Sequence, residues 1–298
     1  MPFSRLATPG ATRGLLDEFG LSAKYALGQN FLVNDEVIGR ILELANVAPD
    51  DVVLEVGPGI GTLTSALLPR AAAVVSVEAD ADMQGPLAVS CADYSERFGL
   101  VMGDALRVTP QQVGRALAAL RPTPARPMPN RWVSNLPYAV AATLILKWLG
   151  SPDWACLDSA VLMVQSEVAD RICAEPDSKI YGAYTVKLQM HARVTGRFQV
   201  AASSFFPAPR VESAVVRLER LPEEERISPE EALACTEVIE ASFSQRRKTI
   251  RNAMSGASYA TKECLDAAFE AAGISPTVRA ETLALADFLR LTRALRTS

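Results

Sequence analysis

Val52-Val53-Leu54-Glu55-Val56-Gly57-Pro58-Gly59-Ile60-Gly61-Thr62-Leu63-Thr64 decides the fold of this chain. Its first five residues are apolar apart from one glutamate and rich in valine, as in a strand buried on both faces. Glycines at alternate positions then form a turn, and Thr62-Leu63-Thr64 opens a helical pattern. A strand, a glycine turn and a helix in that order let the backbone approach a nucleotide-like ligand closely. The dinucleotide fingerprint would place its last Gly or Ala at position 62, but Thr62 stands there and the third glycine comes one residue early, at Gly61. That spacing disfavours NAD.

An acidic residue just before the loop (Glu55), followed by Gly57, Gly59 and Gly61, is instead the pattern of S-adenosylmethionine enzymes, whose ligand has no pyrophosphate to cradle. A second apolar run, Ala73-Val74-Val75-Ser76-Val77, ends at Glu78, where a carboxylate can accept both ribose hydroxyls of such a cofactor. A third, Leu100-Val101-Met102-Gly103, ends at Asp104, placed to accept from the cofactor's adenine amino group. Carboxylates at strand ends are common, so each is a weak signal alone. Their order along the chain gives them weight together.

The next apolar run, Arg131-Trp132-Val133-Ser134, ends in Asn135-Leu136-Pro137-Tyr138. Asn and Pro are ordinary turn residues, and taken alone the tetrapeptide also suits a strand-ending turn. Behind a cofactor loop it suits a flat, amino-bearing base. The exocyclic N6 of adenine is a poor nucleophile, because its lone pair is delocalised into the ring. The Asn135 side-chain oxygen and a main-chain carbonyl near Leu136 or Pro137 are suited to accept the two N6–H protons and localise that pair. Pro137 fixes the local backbone, and Tyr138 stacks on a base that has left its helix.

Strands ending at Gly57, Glu78, Asp104 and Asn135 alternate with helical stretches at 62–68 and 139–149, which implies right-handed crossovers and a parallel sheet. Val37, Ile38, Ile41, Leu42 and Ala45 mark an earlier amphipathic helix, expected to form a lid over the cofactor. After a fifth strand at 159–164 and a helix around 167–171, the runs 192–200 and 211–218 read as an antiparallel edge hairpin joined by the loop 205–209. The charged stretch Leu221-Pro222-Glu223-Glu224-Glu225-Arg226 marks a boundary, with residues 1–220 before it and a helical domain, 221–298, after it. There Ser228-Pro229-Glu230-Glu231 has the form of a capping box with proline at the first helical position.

At 298 residues and 49% apolar, the chain can bury a sizeable core and a small second domain, which excludes disorder. Neither a signal peptide nor a membrane span is legible, so a cytoplasmic location is expected. Five cysteines lack metal-ligand spacing, so no metal is expected, and an odd count in a domain of ordinary size points to reduced thiols. His191 is the single histidine and reads as structural rather than catalytic, so no hydrolytic triad is expected. The net charge of −4 lacks the basic footprint of a nucleic-acid binder. From residue 221 onward there are 10 Lys+Arg against 12 Asp+Glu, so the C-terminal part is no more basic than the rest. Any RNA contact must use a concentrated patch, and the densest is at residues 245–251, with Arg246, Arg247, Lys248 and Arg251 and no acid. By itself such a run is usually a solvated helix face.

Taken together, the chain resembles the ribosomal RNA adenine N6,N6-dimethyltransferases, most closely the bacterial small-subunit type, over nearly its whole length. Besides the glycine loop and residues 135–138, the matching segments are Leu27-Gly28-Gln29-Asn30-Phe31-Leu32 and Ser178-Lys179-Ile180-Tyr181-Gly182. Further on come Phe205-Phe206-Pro207-Ala208-Pro209-Arg210-Val211-Glu212-Ser213 and Phe243-Ser244-Gln245-Arg246-Arg247-Lys248-Thr249-Ile250-Arg251-Asn252. The Pro-rich stretch 121–130 and the leader 1–26 depart from the pattern.

The resemblance implies a class I S-adenosylmethionine-dependent methyltransferase: α/β, Rossmann-like, with a mostly parallel sheet, an antiparallel edge hairpin and a small all-α C-terminal domain. It implies that Asn30, Leu32, Gly57, Gly59, Gly61, Glu78, Asp104 and Asn135 bind the cofactor, and that Tyr138 and Phe205 bracket the target adenine beside Asn135. Arg246, Arg247, Lys248 and Arg251 would contact RNA. The implied substrate is 16S ribosomal RNA within an immature small subunit, dimethylated on two adjacent adenosines near its 3′ end by a monomeric enzyme. Two alternatives are a large-subunit adenine methyltransferase of the antibiotic-resistance type and a non-enzymatic RNA-binding assembly factor. Intact Asn135, Tyr138, Glu78 and Asp104 count against the latter.

Overall fold

Valine-rich runs and amphipathic stretches alternate through the chain, and each becomes a strand or a helix. The computed structural model describes residues 1–24, 28–256 and 261–297, so Leu27 of the first matching segment lies outside the described residues. The strands are β1 (Phe31–Leu32), β2 (Val52–Val56), β3 (Ala73–Glu78), β4 (Phe98–Met102), β5 (Arg131–Asn135), β6 (Ser159–Gln165), β7 (Ala192–Val200), β8 (Phe205–Phe206) and β9 (Ser213–Arg220). Helices α1 (Pro9–Glu18), α2 (Asp35–Ala45), α3 (Thr62–Leu67), α4 (Gln84–Ser90), α5 (Pro110–Ala118) and α6 (Ala141–Leu149) accompany the first strands. Then come α7 (Ser166–Ile172), α8 (Ala183–Gln189), α9 (Pro229–Phe243), α10 (Ile250–Met254), α11 (Lys262–Ala272) and α12 (Leu285–Thr297).

The larger described sheet has the order β4-β3-β2-β5-β6-β9-β7. Its first five strands run parallel, and β9 runs antiparallel to β6. Every residue of β2 and β3 is buried, which is why they read as unbroken apolar runs. A small second ribbon pairs β1 with β8 antiparallel, Phe31 opposite Phe206 and Leu32 opposite Phe205. Two-residue strands carry no periodicity, so that pairing is invisible in the sequence.

Helix α2 shows how local signals set the elements. The Asn34 side chain accepts from the N–H groups of Glu36 and Val37, two acids follow in the first turn, and Asn46 ends the helix in the left-handed conformation. Its buried face is the expected stripe Val37, Ile38, Ile41, Leu42 and Ala45.

The chain forms two compact units. One comprises Met1–Ala169 and Val194–Arg220, the other Asp170–Arg193 and Leu221–Ser298. A boundary at residue 221 alone therefore omits one piece. Tyr181, Val186 and Met190 pack in one core with Ile239, Phe269 and Phe288 of the C-terminal helices. The sequence of α8 does not show which core its buried residues Val186 and Leu188 join. The expected capping box at Ser228 is half formed: its side chain accepts from the Glu231 N–H, while the Glu231 carboxylate pairs with Arg293 at 2.6 Å. Among the described residues no helix is long and apolar enough to cross a membrane.

Candidate active site

Strand β2 is flanked by β3 on one side and β5 on the other, so the crossover direction reverses between β2 and β5. In open α/β sheets the carboxyl ends at such a point form a ligand crevice. The loop after β2 and the loop after β5 meet there. Gly57 has φ +69°, and a Cβ added to it would lie 3.1 Å from Cγ and Cδ of Pro137. Gly59 has φ +57°, and a Cβ there would lie 3.0 Å from the Phe31 ring. Any side chain at either position would be strained and crowded, so this wall of the crevice is bare backbone. Gly61, at φ +86°, caps α3.

Three carboxylates surround the loop in different states. Glu55 is 1% exposed and accepts from the Thr64 and Ser76 hydroxyls at 2.7 and 2.9 Å. Burial pushes its carboxyl up to about 7, against those two hydrogen bonds, and the nearby charge of Glu78 adds to the rise. Its contacts tie β2 to α3 through Thr64 and to β3 through Ser76, so it braces the elements that carry the loop. Glu78, at the end of β3, accepts from the N–H groups of Gly59 and Asp80, and burial raises its carboxyl as well. Asp104 is exposed just beyond β4, accepts from the Leu106 N–H at 2.9 Å and faces Arg107 at 3.8 Å. A backbone wall with carboxylates at two neighbouring strand ends fits a nucleoside with hydroxyl and amino donors and no phosphate.

At the end of β5, Asn135 Nδ2 donates to the Asn30 carbonyl at 3.3 Å. The Pro137 carbonyl accepts from both Val140 and Ala141 N–H groups, at 3.1 and 3.2 Å. Its two lone pairs are therefore engaged in starting α6, which leaves the Leu136 carbonyl as the main-chain acceptor of this turn. The Tyr138 hydroxyl lies 2.6 Å from the Ser213 hydroxyl of β9. Burial raises the Tyr138 phenol above its ordinary value, so it is neutral near pH 7. Ser213 belongs to a segment the sequence marks, but only the register of β9 beside β6 shows what it holds. Leu32 and Phe205 are 2% and 4% exposed and sit in the core of their unit, so the Phe205 ring is a packed element of the ribbon rather than an open stacking face. Phe206 is half-buried, with the Arg13 guanidinium 5.1 Å from its ring centroid.

Lys24 and Asp80 lie outside every motif, and Gln29 belongs to the matching segment 27–32 without an assigned role. Lys24 Nζ contacts Asp80 and Asp82 at 2.6 Å each, and Gln29 Nε2 donates to Asp80 at 2.8 Å. Desolvation raises the Asp80 carboxyl, but the hydrogen bonds from Lys24, the Asp82 N–H and Gln29 outweigh it and hold the group below the usual range. Asp80 in turn donates its own N–H to Glu78. The residues just before Asn30 are thereby tied to the end of β3, while the Asn30 carbonyl is tied to the end of β5.

The basic residues of the C-terminal segment divide. Arg246, Arg247 and Lys248 are exposed and lie in the turn between α9 and α10, not on a helix face, with the Lys248 N–H closing onto the Gln245 carbonyl. Arg251 is on α10, and both arms of its guanidinium engage Asp266. The Thr249 N-cap explains the break: its side chain accepts from the Asn252 N–H and starts α10 only after the cations.

The chain matches the sequence profile described as ribosomal RNA adenine dimethylase over residues 20–297. It is 38% identical to a ribosomal RNA small subunit methyltransferase A of Thermobifida fusca over 294 residues, 97% of this chain and 96% of the relative. Among solved structures it is similar to a dimethyladenosine transferase from Plasmodium falciparum, with TM-score 0.72 and 26% identity over 88% of this chain and 95% of that one. It is also similar to the 23S rRNA methyltransferase ErmE, with TM-score 0.64 and 25% identity over 90% of this chain and 100% of that one. The profile match and the near full-length identity agree with the geometry of the β2 and β5 loops, and the chain belongs to the ribosomal RNA adenine dimethylase family.

Proposed function

We propose that this protein dimethylates N6 of two adjacent adenosines near the 3′ end of small-subunit ribosomal RNA, acting as a cytoplasmic monomer on an immature small subunit. S-adenosylmethionine supplies an electrophilic methyl group on a sulfonium. The chain's own residues supply position and polarity. Gly57 and Gly59 present backbone to the cofactor, Glu78 offers a carboxylate to ribose hydroxyls, and Asp104 offers one to the amino group of its base.

The observation that carries the reading is the pair of acceptors at the end of β5. Asn30 is reached through its carbonyl, so the Asn135 group that touches it is the NH2, and the Asn135 oxygen is left to accept. With Pro137 engaged by α6, the Leu136 carbonyl is the second acceptor. Two acceptors on one amino nitrogen favour a localised lone pair, and alignment then supplies most of the acceleration without a strong base. The neutral, anchored Tyr138 serves as a stacking surface.

Mass spectrometry of ribosomal RNA from cells lacking this protein tests the assignment. Dimethyladenosine is expected to be missing from the small-subunit RNA, restored by the wild-type chain and not by Asn135→Ala. Loss confined to large-subunit RNA would move the protein to the ErmE-like activity, and no loss in either RNA would leave a non-enzymatic role.

A further inference from the structure

The second unit carries a cation that no motif role absorbs. We infer that Lys179 grips an RNA phosphate together with Arg246, Arg247 and Lys248, and that Arg251 is a structural member of the unit rather than part of this set. The inference rests on the proposed RNA-modifying function and specifies which cations serve it.

Three observations support it. Arg246 donates through Nη2 to the main-chain carbonyl of Lys179, so the loop around Lys179 and the turn at 245–248 lie side by side. Lys179 is exposed, as are Arg246, Arg247 and Lys248, and none of these four forms a salt bridge with another of the described residues. The loop is held firmly from below. Tyr181 is 5% exposed and its hydroxyl donates to the Leu283 carbonyl, while the Asp177 N–H donates to the Glu281 carbonyl. With Tyr181 directed into the core, Lys179 and Ile180 are turned to solvent, Ile180 at 48% exposure.

Arg251 differs in kind. Its guanidinium is bound on two nitrogens by Asp266, whose charge cancels its own, and hydrogen bonding in this pair raises the Arg251 value and lowers that of Asp266. A fork already filled by a carboxylate has to break that pair before it can bind a phosphate. Glu175 and Asp177 are exposed earlier in the same loop, so the loop contributes a cation only where it meets the turn. Charge concentrated at one place lets an acidic chain bind a polyanion.

The test measures binding to small ribosomal subunits purified from cells lacking this protein, between about 50 and 200 mM salt. The chains compared are wild type, Lys179→Ala, Lys179→Arg and the Arg246→Ala/Arg247→Ala/Lys248→Ala variant, each with its melting temperature and S-adenosylmethionine affinity. Lys179→Ala is expected to melt as wild type, keep its cofactor affinity, weaken subunit binding and flatten the log–log salt slope by about 0.7–0.9, with Lys179→Arg restoring it. If the triple variant flattens the slope and Lys179→Ala does not, the role given to Lys179 is wrong while the patch stands. If neither changes the slope, the patch does not bind RNA and the underlying assignment of this surface fails. Weaker binding by Lys179→Ala at an unchanged slope would assign the contact to a protein component and overturn the inference.

Discussion

Asn135 and Asn30, 105 residues apart in sequence, meet through one hydrogen bond from the Asn135 amide nitrogen to the Asn30 carbonyl. A carbonyl only accepts, so the contact selects one of the two amide orientations and leaves the oxygen at the other end to act as an acceptor.

Asn135→Ala removes that oxygen. Single-turnover methyl transfer at saturating S-adenosylmethionine is expected to fall by about 10²–10³, the usual effect of losing one preorganised polar contact to the reacting group. Asn135→Asp keeps an acceptor but loses the donor to Asn30, and its rate is expected to lie between the two. A near-normal rate for the alanine variant would remove Asn135 from the chemistry.

The hydrogen bond between Tyr138 and Ser213 anchors the hydroxyl, and in the proposed reading the ring stacks on the target base. Tyr138→Phe and Ser213→Ala are each expected to lose less than about tenfold in rate, since one such bond is worth roughly 1 kcal/mol. Tyr138→Ala is expected to lose considerably more, because base stacking contributes about 1–3 kcal/mol. Equal large losses in the phenylalanine and alanine variants would give the hydroxyl a chemical role.

Asp80 ties Lys24 and Gln29 to the end of β3 and donates to Glu78. Asp80→Ala is expected to weaken S-adenosylmethionine binding by roughly tenfold in calorimetry, given about 1.5–3 kcal/mol for hydrogen bonds to a charged group and partial compensation by water. Glu78→Ala is expected to weaken it further, and neither change to alter binding to small subunits. Unchanged cofactor affinity in Asp80→Ala would show that the leader is held by other contacts.

Glu55 makes stability depend on pH. Its folded value, about 7, lies above the ordinary 4.5, so in that window the folded chain keeps a proton that the unfolded chain has released. Stability therefore falls as pH rises through the window, by about 3 kcal/mol at roughly 1.4 kcal/mol per pH unit. Glu55→Gln cannot ionise and still offers an oxygen to Thr64 and Ser76. Chemical denaturation from pH 4.5 to 8 is expected to show a shallower decline for the variant than for wild type. Parallel curves would mean that Glu55 does not titrate in this range.

From its sequence alone the chain determined the elements whose signal is local. The runs at Val52, Ala73 and Arg131 became β2, β3 and β5, the stripe from Val37 to Ala45 became the buried face of α2, and Asn135-Leu136-Pro137-Tyr138 followed a strand as expected. Period and turn chemistry act over a few residues, so they can be read one segment at a time. Tertiary structure decided the partners. Leu32 against Phe205, Tyr138 against Ser213, Gln29 against Asp80 and Asn30 against Asn135 join residues tens to more than a hundred positions apart. Asp170–Arg193 joined the C-terminal helices, and Arg251 turned to Asp266 while Arg246 turned to Lys179. The physical reason is the same in each case: a polar or apolar side chain shows in sequence that it needs a partner, but strand order and packing bring one candidate within reach.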